Sequence, residues 1–274
     1  QRFFSLGIMS AGGALARLLF ALFFVVILRW GVEGGLLALS FATSSAVAYG
    51  IWQLQDVFKS HPVELPSNSF LEMARFSIPS FLMITMVAVM SNIDIILVRH
   101  YCPPDQAGYY ATATILGRIA FFLPSSLLSV LFPSVAKATA SGSKDNHYFW
   151  VSLGLTSILS GVVVLVFFIA GQSIIQLVYG DQYYSAAPML IIVAAAMGLL
   201  AISHVIFSYN MARSEFSFLW FLFSGVILML SLVFWYHDSA KMIAWVLLLS
   251  TATIFLGTIL NRVYLSFPQS NPPN

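Results

Sequence analysis

Residues 162–170 read Val-Val-Val-Leu-Val-Phe-Phe-Ile-Ala, an apolar run in which no polar side chain takes alternate positions. Strands of a lipid-facing barrel are about ten residues long and alternate strictly, so this run is not one of them. Followed outward it extends over 147–170, enough for a helix that needs about 20 apolar residues to cross hydrocarbon. The same reading along the chain marks further spans at 10–29, 34–54, 71–99, 106–137, 184–210, 215–235 and 240–264. The expected fold is all-α, a polytopic membrane helix bundle of about eight transmembrane helices.

Composition points the same way. The chain has 274 residues, of which 59% are hydrophobic and only 8% charged, against about 25% charged in soluble domains. Mean hydropathy is +0.91. An ordinary soluble globule, a disordered chain and a secreted disulfide scaffold are excluded. A net charge of +2, dispersed along the sequence, argues against a nucleic-acid partner. The single cysteine, Cys102, permits no intrachain disulfide. The chain opens on Gln1, and Arg2-Phe3-Phe4 followed by Ala14-Leu15-Ala16 imitates a signal peptide. The apolar run continues to Leu28, however, which a cleaved leader would not do. The reading is a piece of a larger membrane protein without its true N-terminus.

Turn chemistry separates the spans. Gly34-Gly35 opens the second. Pro62 and Pro66 interrupt the longest loop. Cys102-Pro103-Pro104-Asp105 forms a turn with Asp105 as N-cap of the fourth. Ser141-Gly142-Ser143, Tyr179-Gly180-Asp181 and His237-Asp238 close other connections, and a polar, disordered tail starts near Pro268. Arg2, Lys59, Arg75, Lys137, Lys144, Arg213 and Arg262 fall on one side, and Arg29, Arg99 and Lys241 on the other. The positive-inside rule then puts both termini and the 55–70 loop in the cytoplasm. Every loop is too short for a soluble catalytic domain.

Charges in lipid are expensive and need a partner or a wet cavity. Arg118, about twelve residues or roughly 18 Å into the fourth span, reads either as an anion-binding residue or as the partner of Asp94, and the two are compatible because a paired guanidinium keeps spare donors. Asp94, in Asn92-Ile93-Asp94, reads as a coupling-cation or proton site, or as a group paired with Arg99, Arg118 or backbone. Arg17 either snorkels to the headgroups or faces a cavity. His204 reads as a packed histidine or a proton-coupling group. No histidine, cysteine or acid cluster has metal-ligand spacing. Ser10, Gly12, Gly13 and Ala16 on the first span, and Ser40, Thr43, Ser44 and Ser45 on the second, read as close-packing faces. Pro79 and Pro124 lie inside spans as candidate hinges, with Pro133 and Pro188 nearer ends, and Pro124 is expected to kink the fourth span. No phosphate-cradling loop, HExxH or nucleophile elbow is present. ATP hydrolysis by this chain is therefore not expected, and transport would run on a gradient or on downhill flow of substrate.

Around the third and fourth spans the order of motifs becomes specific. Phe76-Ser77-Ile78-Pro79 leads to Asn92-Ile93-Asp94-Ile95-Ile96-Leu97-Val98. Asp105-Gln106-Ala107-Gly108-Tyr109-Tyr110-Ala111 follows, then Leu131-Phe132-Pro133-Ser134-Val135-Ala136-Lys137. Val178-Tyr179-Gly180-Asp181-Gln182-Tyr183 runs into Ala186-Ala187-Pro188-Met189-Leu190. This order resembles the polysaccharide-biosynthesis flippases, the Wzx-type oligosaccharide translocases of the MATE-like superfamily. The resemblance implies two pseudo-symmetric six-helix lobes around a cavity. Residues 1–58 would be the last two helices of the first lobe, 59–70 a cytoplasmic linker, 71–265 the six-helix second lobe and 266–274 a disordered tail.

It further implies a plasma-membrane transporter of polyprenyl-pyrophosphate-linked oligosaccharide for O-antigen or exopolysaccharide assembly. The implied partners are that substrate, the lipid bilayer and other polysaccharide-assembly membrane proteins, with no nucleic acid and no cofactor. Arg118 and Arg17 would meet the pyrophosphate, Asp94 and His204 would serve ion or proton coupling, and Pro124 and Pro79 would bend. The alternatives are a MATE-like cation-coupled drug or metabolite antiporter, which wants acidic residues deep in a lobe, and a glycan polymerase or ligase, which wants a long outer loop.

Overall fold

A computed structural model describes residues 2–53, 69–125 and 146–266. Every regular element in it is helical: α1 Arg2–Ala21 with a π-helical extension Leu22–Ile27, α2 Gly31–Gln53, α3 Ser69–Tyr101, α4 Pro104–Gly117, α5 Ile119–Ser125, α6 Asn146–Tyr179, a 3-10 segment Asp181–Ala186, α7 Ala187–Ala212, α8 Leu219–Trp235 and α9 Ala240–Ser266. Lys59, Pro62, Pro66, the 131–137 motif, Ser141-Gly142-Ser143, Lys144 and the tail from Pro268 lie outside the described residues. The chain divides into two compact units, Gln1–Ser67 and Asn68–Asn274.

In the first unit α1 and its extension pack on α2. The run Phe23-Phe24-Val25-Val26-Ile27 is bulky and β-branched, hence weakly α-forming, and it widens so that Leu28 N–H reaches the carbonyl of Phe23. The reversal then uses left-handed backbone at Arg29 (φ 55°) and Gly31 (φ 56°). Helix α2 therefore starts at Gly31, three residues before the Gly34-Gly35 pair expected to open it. The close-packing residues also differ from expectation. A Cβ on Gly12 or Gly13 would touch nothing within 4 Å, whereas one on Gly34 would lie 2.8 Å from the Phe24 carbonyl oxygen. The buried stripe is Gly34, Ala38 and Ala42 at i, i+4, i+8. Ser40, Thr43 and Ser45 instead donate to carbonyls of their own helix.

In the second unit α7 is the axis. It is apolar on all sides, as a helix enclosed by others must be, and it packs against α4, α5, α6 and α9. The outer helices carry the opposite signature: Phe168, Ile169, Leu230 and Phe234 are all exposed. So much apolar surface in contact with water would be a severe aggregation liability, but in lipid it costs nothing. Five helices among the described residues, Gly31–Trp52, Phe70–Tyr101, Phe149–Tyr179, Asp181–Ala212 and Ala240–Arg262, are long and apolar enough to cross a membrane. The protein is a polytopic helical membrane bundle. Helix α8 is shorter, at 17 residues or about 25 Å, and Trp220 and Trp235 stand 78% and 75% exposed near its two ends. Such tryptophans sit at the two membrane–water interfaces.

Helix ends depart from expectation for local reasons. Helix α8 begins at Leu219 because α7 closes in a Schellman turn, with Glu215 N–H on the Asn210 carbonyl at 2.8 Å, Ser214 N–H on the Met211 carbonyl at 3.0 Å and Ser214 left-handed at φ 60°. Beside this turn Arg213 donates to Glu215 Oε1 at 3.0 Å, and Arg262 lies 4.6 Å over the Tyr209 ring. Burial works against the Arg213 charge, but hydrogen bonds with Glu215 and Tyr209 more than offset it and hold its pKa above the ordinary arginine value. Asp105 does not cap the fourth span. Pro103 occupies the cap and Pro104 the first turn, as suits a residue without an N–H, and Asp105 sits inside that turn against the helix dipole.

Among the described residues the fourth span is interrupted at Arg118, between α4 and α5, six residues before Pro124, which lies within α5. Proline has no N–H for the carbonyl of residue i−4, here Ala120, and Ser160 of α6 supplies the missing donor, its Oγ 2.9 Å from that oxygen. Ser160→Ala should therefore cost about 1–3 kcal/mol for a stranded buried carbonyl. In a Pro124→Ala background, where the backbone donor returns, the same substitution should cost far less. Thermal unfolding of the four chains in lipid reads this directly, and equal costs in both backgrounds would refute it.

Candidate functional site: a buried ion pair beside an apolar groove

Helices α3 and α4 are joined by the two residues Cys102 and Pro103 and form an antiparallel hairpin. Counting back from that turn to Asp94, and forward to Tyr110, gives eight and seven residues, so both stand roughly 11 Å below it. Asp94 is 0% exposed and Tyr110 fully buried. Tyr110 donates its hydroxyl to Asp94 Oδ2 at 2.9 Å. Arg118 starts farther down, at the interruption of the span, but side chains on a helix slant toward its N-terminus. The guanidinium thus climbs back toward the turn, and its Nη2 donates to Asp94 Oδ1 at 3.3 Å.

Both carboxylate oxygens are engaged, and the buried charge is paired and hydrogen-bonded as lipid demands. The Arg118 side chain stays 17% exposed, and its Nε, buried, has no partner among the described residues. One face of the guanidinium is thus committed to Asp94 while donors remain. It lines an open groove of about 510 Å³ whose other walls are Ile115, Ile119, Phe122 and Leu123. Gly117 lets this segment approach α7: a Cβ there would lie 2.8 Å from Val193 Cγ1. Chemically the groove offers a single cation at the edge of an apolar trough, an arrangement suited to an amphiphile with an anionic head.

The other sequence candidates of this unit, His204 and Pro79, are not joined to the pair. His204 stacks on Phe121 with ring centroids 5.6 Å apart and planes 13° from parallel. Its Nδ1 is buried without a partner among the described residues, in a narrow crevice with Pro124, Ser125 and Thr156. No ion pair or hydrogen bond joins it to Asp94 or Arg118. Arg17 is exposed on α1 in the first unit. Pro79 lies inside α3, where Ser80 donates to the Phe76 carbonyl at 2.7 Å. Among the described residues no group of three metal-ligating side chains assembles.

Sequence reasoning missed Tyr110. The signal was available: once Cys102-Pro103 is read as the turn, Asp94 and Tyr110 stand level across the hairpin. A tyrosine near a span end, however, reads first as an interfacial residue.

Against known proteins, the chain matches a family model described as "Polysaccharide biosynthesis protein" over residues 14–188. That range takes in Arg17, Asp94, Tyr110 and Arg118 and stops short of His204. No curated protein and no solved structure matches the chain.

Proposed function

Because the chain belongs to the polysaccharide biosynthesis protein family, we propose that it is a transporter and not an enzyme, and that it carries a polyprenyl-pyrophosphate-linked oligosaccharide from the cytoplasmic to the outer leaflet of a bacterial plasma membrane, both termini of this chain being cytoplasmic. The observation that carries the reading is the Arg118 groove. The physical obstacle is a diphosphate crossing hydrocarbon. A guanidinium anchored by Asp94 has free N–H groups for phosphate oxygens, and the aliphatic wall of Ile115, Ile119 and Leu123 suits the first units of an isoprenoid chain that stays in lipid.

Alternating access by rocking of the two lobes exposes the groove to one face and then the other. The interruption at Arg118, together with Pro124 and Pro79, supplies the places where helices give. Arg17 would offer a second contact for the diphosphate, and His204 a site for proton coupling. Cation-coupled antiport through Asp94 is served less well, since both its oxygens are already held by Tyr110 and Arg118.

Arg118→Ala in the full-length protein should lower export of surface glycan by about tenfold to a hundredfold, the equivalent of the roughly 1.5–3 kcal/mol carried by hydrogen bonds to a charged group. Glycan staining, with membrane abundance of the protein measured in parallel, checks it. Normal export by this variant removes Arg118 from the mechanism.

A further inference from the structure

Two stretches that carry the family resemblance, Asp105–Ala111 and Val178–Tyr183, have no part in the Arg118 groove. They are far apart in the chain, yet they meet in the fold. The first turns of α4 face the 3-10 segment Asp181–Ala186 across a cavity of about 310 Å³ lined by Pro104, Asp105, Gly108, Tyr109, Gln182 and Tyr183. That volume is at the low end of the about 300–1,000 Å³ typical of small-molecule sites.

Its walls are chemically specific. The Tyr109 and Tyr183 rings meet edge to face, with centroids 6.1 Å apart and planes at 85°. Tyr179 meets Tyr183 edge to face from behind, with ring centroids 5.8 Å apart. Both lining tyrosines also pack against the main core, so their rings are held in place. Asp105 and Gln182 are exposed, and neither side chain makes a hydrogen bond among the described residues. The floor opens at Gly108, where a Cβ would touch nothing within 4 Å.

The occupant follows from this chemistry. No cation lines the cavity, which disfavours a phosphate. Its walls are too polar for an acyl or isoprenoid chain. A carboxylate, an amide with both donor and acceptor, and fixed phenol rings together suit a molecule with an apolar C–H face and a rim of hydroxyls, which is the description of an uncharged sugar ring.

Position adds to this. Gly108 and Ile115 are seven residues apart and so lie on one face of α4, which places the cavity and the Arg118 groove along the same side of that helix. Arg118 follows Gly108 by ten residues, about 15 Å of rise, a distance that a short oligosaccharide covers. We propose that this cavity is a saccharide-binding site that takes a neutral sugar residue of the glycan whose diphosphate sits at Arg118. The proposal rests on the transporter reading for its substrate, but its test does not.

The probe is an array of immobilised neutral di- to tetrasaccharides of glucose, galactose, mannose, rhamnose, N-acetylglucosamine and N-acetylgalactosamine. It is read with the full chain in lipid nanodiscs prepared without any glycoside detergent, whose headgroup would compete. The native chain should be retained on at least one of these sugar types. Gly108→Phe, which fills the cavity from a position with open space, and Tyr183→Ala, which removes a stacking wall, should each weaken that retention about tenfold or more. An empty array with native chain, or undiminished retention by Gly108→Phe, overturns the proposal. Loss of export in Arg118→Ala beside an empty array condemns the cavity alone. Retention that Gly108→Phe abolishes beside normal export in Arg118→Ala condemns the diphosphate contact and leaves the cavity standing.

Discussion

Asp94→Ala is expected to lower stability by roughly 3–5 kcal/mol, the cost of leaving one member of a buried ion pair alone. The carboxylate is fully buried and receives both the Arg118 guanidinium and the Tyr110 hydroxyl, so truncation strands two donors at once. Removing both charges is a different experiment. Asp94→Leu combined with Arg118→Leu and Tyr110→Phe replaces the pair and the hydroxyl that Asp94 accepts with apolar groups that hydrocarbon accepts, and such exchanges are often neutral or stabilising. The triple variant should therefore unfold close to the native chain in a thermal or denaturant titration in lipid, yet fail to export glycan. This outcome separates what the pair does for the fold from what the free side of Arg118 does for substrate. A near-neutral Asp94→Ala would mean that the carboxylate is not the anchor of the guanidinium.

The second large effect is expected where α8 crosses α9. A side-chain carbon on Gly225 would overlap Ile254, and one on Gly257 would lie 2.5 Å from the Phe221 ring. The two glycines thus receive one large side chain each from the facing helix, Gly225 taking Ile254 and Gly257 taking Phe221. Small residues at helix contacts matter especially in lipid, where association depends on close packing and not on expulsion of water. Gly225→Ala should destabilise by about 1–3 kcal/mol through overpacking, although alanine is intrinsically the better helix former by up to about 1 kcal/mol. Ile254→Ala added to the same chain should restore most of the loss. A Gly225→Ala chain as stable as the native one in the same unfolding assay would show that the two helices do not approach as closely as this.

The helical membrane class was legible because its cause is local: a run such as 162–170 admits no alternation, and hydrocarbon leaves the backbone no partner but itself. The Asp94–Arg118 pairing was legible for a related reason, since two opposite charges on neighbouring spans have few other solutions in lipid. What escaped was set by partners distant in sequence. Gly12 and Gly13 look like a packing seam, yet the seam is Gly34, Ala38 and Ala42, because only the facing surface decides which small residues matter. The serine that meets the carbonyl left without a donor by Pro124 is Ser160, on another helix, and the interruption seen at Arg118 has no breaker residue at its own position. The tyrosine cavity needed the fold as well: it joins Gly108 and Tyr109 to Gln182 and Tyr183, whose separation along the chain says nothing about their meeting, whereas the groove walls Ile115, Arg118, Ile119, Phe122 and Leu123 stand at the spacing of one helix face.

The two charges of the ion pair lie on helices joined by only Cys102 and Pro103, and this bears on how the protein is made. A lone aspartate or arginine entering the bilayer on its own segment would meet a cost of roughly 2.5–3.5 kcal/mol at mid-depth. Delivered together as a hairpin, the two neutralise each other as they leave the insertion machinery. The pairing needs no helix beyond these two, so the step with the highest electrostatic cost is met by nearest neighbours in the chain.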